Sequence, residues 1–523
     1  MQLSIDLPQG WRPAAGGGEA PPASRSVADT GRAGFNAQFL GANRSERIVA
    51  YHLRRLGITR LLDVGSNSGQ FATTMRRLGF AGVIYSVEPQ ASAYGQLLAA
   101  ARSDLLWFPL ARQAAGAQRQ FTDLRLSENG WSSSLLDVHA NHIRADHATR
   151  CVGSESIFVN EASRLLHADL MPHIEALKID VQGYEDRVLD GYLPFLENVR
   201  LLLLELSAVE CYRGGMDMFA LDERLVARHG FSRVSLEPSY YDDSCGVVQQ
   251  YDGIYFRPDR PARGERRRMG VRVEAVLTSV GPTPSQIPGK EPHPRTRHLE
   301  GCRRSWSALG GRVVSVSESP PPEAGIEWVK TESRPTLAQM LTAMSGRHLV
   351  LTNADILFTD LLVDILPRLD PEGVYYGHRH DVAATSSEPG VPVSAVVYPF
   401  GFDFFLLPPA FIQRLTGENL VPVEFRIGEP WWDYLLPLLA LAHGFPLKRF
   451  PDEFPIAVHQ QHPTNYSPDV WLRNGAILLQ CVERLLGDAG SNAASVLREL
   501  AGAIGDMPNR LHRVSQIICQ ALP

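Results

Sequence analysis

The sequence predicts an α/β protein of two domains. At 523 residues the chain is longer than a single hydrophobic core usually supports. Short apolar runs alternate with amphipathic helical segments up to about residue 258, and a fresh alternating series starts near residue 271. The stretch between them is rich in proline, arginine and glycine, as linkers are. We therefore predict a flexible leader, an N-terminal domain, a linker and a C-terminal domain, at 1–34, 35–258, 259–270 and 271–523 respectively.

The composition is that of a soluble globular protein, with 44% hydrophobic and 21% charged residues. A formal charge of −6 offers no basic surface for nucleic acid, so no nucleic-acid partner is expected. No apolar run approaches the roughly 20 residues that span a bilayer, and the six cysteines are scattered without metal or disulfide spacing. We expect a cytoplasmic protein with no transmembrane segment; peripheral membrane association and the oligomeric state stay open.

The elements of the N-terminal domain follow the order of a doubly wound, mostly parallel sheet. A first helix, SERIVAYHLRRLG, places Val49, Leu53 and Leu56 on one face. Strands are predicted at LLDV, VIYSVEP, LLWFPLA, EALKIDV and LLLLELS, and helices at QFATTMRRLG, ASAYGQLLAAA and DRVLDGYLPFLENV. Strands that are apolar at nearly every position are buried on both faces, as in sheets with helices on each side.

The turn in LLDVGSNSGQF (61–71) predicts a nucleotide-like ligand. Asp63 closes the strand, and Gly65 and Gly69 leave room for a tight turn and a close ligand. The spacing fits neither the GxGxxG fingerprint nor the P-loop, which leaves the turn that receives the amino-acid end of S-adenosylmethionine. That interpretation requires an acid after the next strand to accept both ribose hydroxyls, and Glu88 stands there.

Together with FPLA, WSSSL, LKIDVQGYE, LLLLELSAVECY and VVQQYDGIYFRP, these motifs resemble the FkbM-type methyltransferases over about 58–258. The resemblance implies a Rossmann-like sheet and S-adenosylmethionine-dependent O-methyl transfer, commonly to sugar hydroxyls. It also implies that the cofactor contacts Asp63, Gly65, Ser66, Asn67, Gly69 and Glu88. Ala111 and Arg112 would lie near its adenine.

Asp180 is the candidate catalytic residue because it ends the strand EALKID at the ligand-binding edge of the sheet. It is placed to act as general base, or to hold a metal that lowers the pKa of the acceptor hydroxyl. Lys178 projects from the same strand face and is expected to pair with it. Hydrogen bonding of the following loop is the structural alternative for Asp180, and Glu185, Tyr212 and the WSSSL serines either shape the acceptor pocket or support the fold.

The C-terminal domain repeats the α/β alternation without repeating the sequence. Strands are predicted at VEAVLTSV, RVVSVSE, IEWVKTE and HLVLTNADILF, and helices at TRHLEGCRRSWSALG, TLAQMLTAM, WLRNGAILLQCVERLLG and SVLRELAGAIG. The last two helices form a helical tail.

The strand end LTNADILF (351–358) resembles the metal-binding strand end of GT-A glycosyltransferases, and this looser resemblance covers about 271–466. It implies a divalent cation, Mg²⁺ or Mn²⁺, held by Asn353 and Asp355 against the diphosphate of a nucleotide sugar. Asn353 supplies an oxygen but no charge. His462 is the candidate third ligand, and a zinc site that includes His378, His380 or His459 is also conceivable.

GEPWWDYLLPLL (428–439) is the candidate acceptor segment. Indole faces pack well on sugar C–H surfaces, and Glu429 or Asp433 is placed to take the acceptor proton. The alternative is that Trp431 and Trp432 belong to the core.

The sequence therefore favours a bifunctional enzyme that methylates and glycosylates a glycan or lipid-linked oligosaccharide of a surface polysaccharide or glycoconjugate. One alternative is a methyltransferase whose C-terminal domain is a non-catalytic carbohydrate-binding module. Another is a tailoring enzyme of a small-molecule natural product.

Overall fold

The computed structural model describes residues 43–242, 245–257, 270–279, 294–321, 325–344, 346–382, 395–461, 467–487, 492–503 and 511–523. The predicted leader, and residues 259–269 of the predicted linker, lie outside these ranges.

The N-terminal domain has ten strands and six α-helices within the described residues. The strands are β1 (Arg60–Val64), β2 (Val83–Val87), β3 (Trp107–Pro109), β4 (Ala114–Gly116), β5 (Gln120–Ser127), β6 (Cys151–Glu161), β7 (Ala176–Ile179), β8 (Leu201–Ser207), β9 (Ser232–Asp242) and β10 (Val247–Phe256). The helices are α1 (Arg44–Arg55), α2 (Gln70–Arg77), α3 (Ala91–Ala101), α4 (Ala140–Ala145), α5 (Glu185–Leu196) and α6 (Met218–Glu223).

Seven of these strands form one twisted sheet in the order β3-β2-β1-β7-β8-β10-β9. β3, β2, β1, β7 and β8 are parallel, and β10 runs antiparallel to both of its neighbours. Leu61 packs with α1 to α3 on one face while Leu62 packs with α5 on the other, which explains why β1 is apolar on both sides. The predicted α/β, Rossmann-like fold of this region is confirmed. β4, β6 and β5 form a small separate sheet that the sequence patterns did not indicate.

The C-terminal domain has eleven strands and eight α-helices within the described residues. The strands are β11 (Ala275–Thr278), β12 (Arg312–Ser317), β13 (Ile326–Lys330), β14 (Leu349–Thr352), β15 (Ile356–Phe358), β16 (Val374–Gly377), β17 (His380–Val382), β18 (Val396–Val397), β19 (Phe404–Leu407), β20 (Leu447–Arg449) and β21 (Ala457–Gln460). The helices are α7 (Pro294–Ala308), α8 (Leu337–Ala343), α9 (Asp360–Ile365), α10 (Pro409–Gly417), α11 (Trp432–Ala442), α12 (Pro468–Gly487), α13 (Ala494–Ala503) and α14 (Leu511–Ala521).

The main C-terminal sheet has the order β13-β12-β11-β14-β19-β16-β20. β13, β12, β11 and β14 are parallel, and β19 runs antiparallel to β14 and β16. β15, β21, β17 and β18 form a second, smaller sheet. This is a mixed α/β domain with the expected helical tail.

The two domains share a buried interface. The Phe108 ring of β3 lies 5.9 Å from the Tyr375 ring of β16. Arg60 Nη2 and Asp370 Oδ1, both almost completely buried, form an ion pair of 3.0 Å, and the Tyr85 hydroxyl donates to Asp370 Oδ2 at 3.1 Å. The C-terminal domain therefore covers part of one face of the N-terminal sheet. Among the described helices, none is long and apolar enough to cross a membrane.

Candidate active sites

A cavity of about 620 Å³ lies at the carboxyl edge of the N-terminal sheet, where the strand order reverses between β1 and β7. Doubly wound sheets bind their ligands at such switch points. Six of the residues predicted for this domain meet in its wall: Gly65, Ser66, Asn67, Glu88, Lys178 and Asp180.

The turn after β1 is fixed against its neighbours. Gly65 has a φ of 79°, and a Cβ at this position would overlap the carbonyl oxygen of Asp180, so the turn requires glycine. The Ser66 hydroxyl donates to the carbonyl of Asp63 at 2.8 Å and accepts from the amide of Val87 at 3.1 Å. The turn is thereby tied to β2 and held at the cavity wall.

Glu88 follows β2 and is only 6% exposed. Its Oε2 accepts from the amide of Asn67 at 2.7 Å, and its Oε1 accepts from the amide of Gln90 at 2.8 Å. Burial raises the pKa of Glu88 to about 7, although these amides and Lys178 act in the opposite direction. The structure thus places Glu88, the residue predicted to bind the ribose, beside the predicted cofactor turn with a pKa close to neutral pH.

The Asn67 side chain supports the turn and is not a free ligand group. Asn67 has a φ of 47°. Its Oδ1 accepts from the amide of Ser68 at 2.8 Å and from Gln70 Nε2 at 3.2 Å. Its Nδ2 donates to the carbonyl of Gly130 at 3.2 Å. Asn67 therefore links the cofactor turn to the turn at Gly130, a role that the motif alone did not indicate.

Lys178 is a fixed cation at the centre of the site. Its Nζ donates to the carbonyl of Gly65 at 2.8 Å and lies 3.1 Å from Asp63 Oδ1 and 3.5 Å from Asp180 Oδ2. Burial lowers the pKa of this ammonium, but Asp63 and Asp180 outweigh it, so the pKa lies above its ordinary value. Lys178 therefore anchors the turn and orients Asp180, and it does not act as a proton acceptor.

Three side chains that sequence reasoning missed surround Asp180. Gln182 Nε2 donates to Asp180 Oδ1 and to Glu205 Oε2, each at 2.9 Å, and Gln250 Nε2 donates to the same Glu205 oxygen at 2.7 Å. The Tyr212 hydroxyl donates to Gln182 Oε1 at 2.6 Å. Burial, with Asp180 nearby, raises the pKa of Glu205 well above its ordinary value. The available signal was the single acid inside the apolar strand LLLLELS.

Glu185 and the serine Ser134 serve the local fold of the loop after β7. Glu185 Oε1 accepts from the amides of Val181 at 3.0 Å and Gly183 at 3.1 Å, and burial raises its pKa. Ser134 donates to the carbonyl of Gln182 at 2.6 Å. Of the alternatives left open by the sequence, these contacts favour structural support.

Four residues predicted to hold the cofactor lie outside the cavity wall. Asp63 is fully buried in β1, and Gly69 precedes α2 with a φ of 87°. Ala111 packs in a core cluster made mostly of C-terminal residues, and Arg112 Nη1 donates to the carbonyl of Pro89 at 3.1 Å. Packing between the domains, which no local motif encodes, buries Ala111, and its expected place near the adenine stays a prediction.

A second cavity, of about 1040 Å³, lies at the carboxyl edge of the C-terminal sheet. Four predicted residues from two distant segments meet in its wall: Asn353, Asp355, Glu429 and Asp433. Ser317, at the end of β12, lines it as well. The four side chains share one cavity wall, but the GT-A fold and glycosyltransferase activity expected for this domain stay predictions.

His459 lies between two carboxylates. Its Nε2 lies 3.5 Å from Asp355 Oδ2, and its Nδ1 lies 2.9 Å from Asp381 Oδ1. Burial lowers the pKa of His459, but its hydrogen bonds to Asp355 and Asp381 raise it to about 9. The described residues contain no cluster of three His, Cys, Asp or Glu placed to hold a metal, and His462 lies outside them.

Asn353 lies beside Asp381 and Asp403, two acids that the guanidinium of Arg379 joins. Arg379 donates to Asp381 Oδ1 at 2.8 Å and to Asp403 Oδ1 at 3.0 Å, and Asn353 Nδ2 donates to the same Asp403 oxygen at 2.8 Å. Among the described residues, the buried Asn353 Oδ1 has no hydrogen-bond partner. That oxygen fits a ligand donor or a cation, so Asn353 and Asp355 offer part of a ligand set, whereas the raised pKa of His459 keeps its ring protonated near neutral pH.

The tryptophans of the acceptor segment belong to the core. Trp431 and Trp432 are each 2% exposed, and Trp432 packs 5.5 Å from Phe405. Neither indole presents the open face that stacking on a sugar requires, so that expectation is corrected. Trp431 precedes α11 with a φ of 83°, a strained conformation for a bulky residue. Asp433 Oδ2 accepts from the amide of Phe402 at 2.7 Å, and burial raises the pKa of Asp433 to about 7.

Glu429 is held by Asn474 Nδ2 at 3.2 Å. The two histidines of YYGHRHD contact Asp452 instead of the cavity: His378 Nδ1 lies 2.9 Å from its carboxylate, and His380 Nε2 lies 2.9 Å from its carbonyl. The zinc alternative that used these two histidines therefore has no support from their placement.

Residues 63–233 match the model of the methyltransferase FkbM domain. No curated protein matches the sequence.

Several solved methyltransferase structures overlap the chain at low scores. Aeropyrum pernix fibrillarin with bound S-adenosyl-L-methionine has 13% identity and a TM-score of 0.20, covering 38% of this chain and 66% of its own. The Methanococcus jannaschii fibrillarin pre-rRNA processing protein has 10% identity and a TM-score of 0.23, covering 39% and 68%. The Burkholderia thailandensis 1,6-didemethyltoxoflavin-N1-methyltransferase has 10% identity and a TM-score of 0.22, covering 41% and 79%. Likenesses this slight identify no substrate.

Proposed function

We propose that the N-terminal domain binds S-adenosylmethionine and transfers its methyl group to a hydroxyl of a sugar-containing acceptor. The observation that carries the proposal is the meeting of the turn at Gly65 with Glu88 and Asp180 in one cavity at the switch point. The match of 63–233 to the methyltransferase FkbM domain supports the reaction class.

Some residues of the cavity would bind the cofactor, and others would act on the methyl acceptor. The backbone turn at Gly65 would receive the amino-acid end of the cofactor, and Glu88 would accept the ribose hydroxyls. Asp180 would take the acceptor proton while the hydroxyl oxygen forms its bond to the methyl carbon and the S–CH₃ electron pair returns to sulfur. Lys178 Nζ lies 3.5 Å from Asp180 Oδ2 and keeps this carboxylate beside the turn.

Calorimetric titration of the full chain with S-adenosylmethionine tests the cofactor assignment. Glu88→Ala is expected to abolish binding, because it removes the carboxylate that would accept both ribose hydroxyls. Glu327→Ala, which changes a carboxylate at the surface of β13, is the control and should bind normally. An unchanged affinity in Glu88→Ala would refute the ribose assignment.

The C-terminal cavity favours a second activity, sugar transfer from a nucleotide-sugar donor to the same glycan or lipid-linked oligosaccharide. The supporting observation is that Asn353, Asp355, Glu429 and Asp433 line one cavity, with His459 beside Asp355. A divalent cation bound by Asp355 and the side-chain oxygen of Asn353 would neutralise the donor diphosphate. Asp433, whose pKa burial raises to about 7, is the candidate acceptor of the sugar hydroxyl proton.

Titration with nucleoside diphosphates, with and without Mn²⁺, separates sugar transfer from the non-catalytic alternative. Manganese-dependent binding that Asp355→Ala removes, with methyl transfer intact, is expected of a transferase. Absence of binding to every nucleoside diphosphate would leave a carbohydrate-binding module as the better account. Loss of both activities in Asp355→Ala would instead indicate misfolding.

A further inference from the structure

Trp131 stands out among the aromatic residues because it is 67% exposed while it lines the N-terminal cavity. Large aromatic side chains are normally at least partly buried, since exposure of their apolar surface opposes folding. An indole left open at the rim of a cavity is therefore a candidate contact for the ligand of that cavity.

The turn that carries Trp131 is held in place by hydrogen bonds. Asn129 Oδ1 accepts from the amides of Trp131 and Ser132, each at 3.0 Å, and from the hydroxyl of Ser127 at 2.8 Å. Gly130, with a φ of 71°, accepts from Asn67 Nδ2 at 3.2 Å. The exposed indole is thus carried on a turn that is fastened directly to the cofactor turn.

The acceptor side of the cavity carries several polar side chains next to apolar ones. Gln182 and Gln250 bond to Glu205, and Asp252 Oδ2 accepts from the hydroxyl of Ser45 at 2.5 Å. Amides, carboxyls and hydroxyls at this density match a ligand that carries several hydroxyl groups. An exposed indole beside these polar groups is the combination that suits the two faces of a sugar ring, whose C–H surface packs on an aromatic ring.

The charged residues of the cavity wall indicate which charge the methyl acceptor carries. The carboxylic residues of the cavity wall outnumber its lysine, Lys178; they are Glu46, Glu88, Asp180, Glu205 and Asp252, of which Glu205, with its strongly raised pKa, adds little charge. Lys178 is already bound to Asp63 and Asp180. A negatively charged acceptor would meet repulsion with no free lysine to offset it, whereas a positive charge would be attracted by the acids and by the indole face.

We propose that Trp131 is the stacking platform for the methyl acceptor and that this acceptor is a neutral or amine-bearing saccharide, not an anionic one. The inference rests on the proposed methyl transfer and adds the platform residue and the charge class of the substrate.

The test is methyl transfer from labelled S-adenosylmethionine to an array of neutral, amine-bearing and acidic glycans, with the full chain. Because the label reports only methylation, sugar binding by the C-terminal cavity does not interfere. Labelling of neutral or amine-bearing glycans is expected, with the acidic glycans (uronic acid, sulfate or phosphate) unlabelled. Labelling confined to acidic glycans, or none at all while the cofactor binds normally, would overturn the proposal.

Substitutions then locate the platform on a glycan that is labelled. Trp131→Ala should raise the acceptor KM at least tenfold and leave the S-adenosylmethionine Kd within twofold, whereas Trp131→Phe should retain most of the affinity. Trp328→Ala removes another exposed indole, in β13, and should change neither quantity. An unchanged acceptor KM in Trp131→Ala, or a weakened cofactor Kd, contradicts the assignment. Failure of the wild type to bind S-adenosylmethionine would instead remove the proposed function itself.

Discussion

Lowering the pH from about 8 to about 6 should weaken S-adenosylmethionine binding through Glu88. The free protein holds the pKa of Glu88 at about 7, against an ordinary value of 4.5, because the carboxyl is buried. Ribose hydroxyls donate hydrogen bonds, so they favour the ionised form, and binding must lower this pKa. The affinity is therefore highest above pH 7 and falls as the pH drops through the pKa of the free site.

The magnitude follows from the ionised fraction. With a pKa of about 7, roughly nine in ten Glu88 side chains are ionised at pH 8 and roughly one in ten at pH 6. The Kd should accordingly rise about tenfold, or about 1.4 kcal/mol, over this interval. Glu88 also releases a proton on binding near pH 6, so the measured binding enthalpy should vary with the ionisation enthalpy of the buffer.

Calorimetry across this pH range, in two buffers, measures both effects. The control is Glu88→Gln, which should bind S-adenosylmethionine weakly. It should also lose the part of the pH dependence of the Kd that comes from ionisation of Glu88. The raised pKa stabilises the uncharged form of the fold, and that contribution is present below pH 4.5 and lost as the pH rises through about 7. An uncharged glutamine therefore avoids the cost of burying a charge at pH 8, but its NH2 cannot accept the hydrogen bond that one Glu88 oxygen accepts from Asn67 or Gln90. The Tm of the variant is measured alongside to separate weak binding from unfolding. Equal affinity at both pH values in the wild type would refute the reasoning.

Three further predictions concern single positions. Asp180→Asn should lower the kcat of methyl transfer at least about a hundredfold with an unchanged cofactor Kd; an intact kcat would rule out its role as base. Gly65→Ala should lose cofactor binding because its Cβ would overlap the Asp180 carbonyl, whereas Gly79→Ala, also at positive φ but in open space, should only lower Tm slightly; equal effects would contradict this. Arg60→Ala should destabilise the protein to denaturant by about 3–5 kcal/mol, since it leaves buried Asp370 unpaired; a loss below about 1 kcal/mol would argue against it.

The local features of the N-terminal site were predictable because a strand, its turn and the next helix are encoded within a dozen residues. LLDVGSNSGQF indicated the ligand turn, and spacing alone placed Glu88 beside it. Glu205 and Gln250 could not be assigned in the same way, because β8 and β10 pair antiparallel across a register that no short motif reports. Trp431 and Trp432 were misjudged for a related reason: whether an indole lies in a core or on a surface depends on which element packs over it.

The contact between the domains was beyond sequence reasoning, since it joins side chains that are hundreds of positions apart. Lys448 Nζ donates to the carbonyl of Trp107 at 3.2 Å and also to that of Ala101, and burial lowers the pKa of this ammonium to about 7. Asn160 Nδ2 donates to Asn492 Oδ1 at 2.8 Å. Polar groups buried in this way are costly unless every partner is in place.

These contacts decide how the two cavities are related. Domains joined only by a flexible linker move independently, and the second enzyme then gains from the first only through a raised local concentration. Here Tyr375 of the C-terminal domain packs on Phe108 of the N-terminal sheet, and Arg60 has its buried counter-ion on the other domain. An isolated N-terminal domain would expose that apolar face and leave Arg60 without its carboxylate. The two cavities are therefore held by one continuous core, so any acceptor that visits both must move between fixed positions.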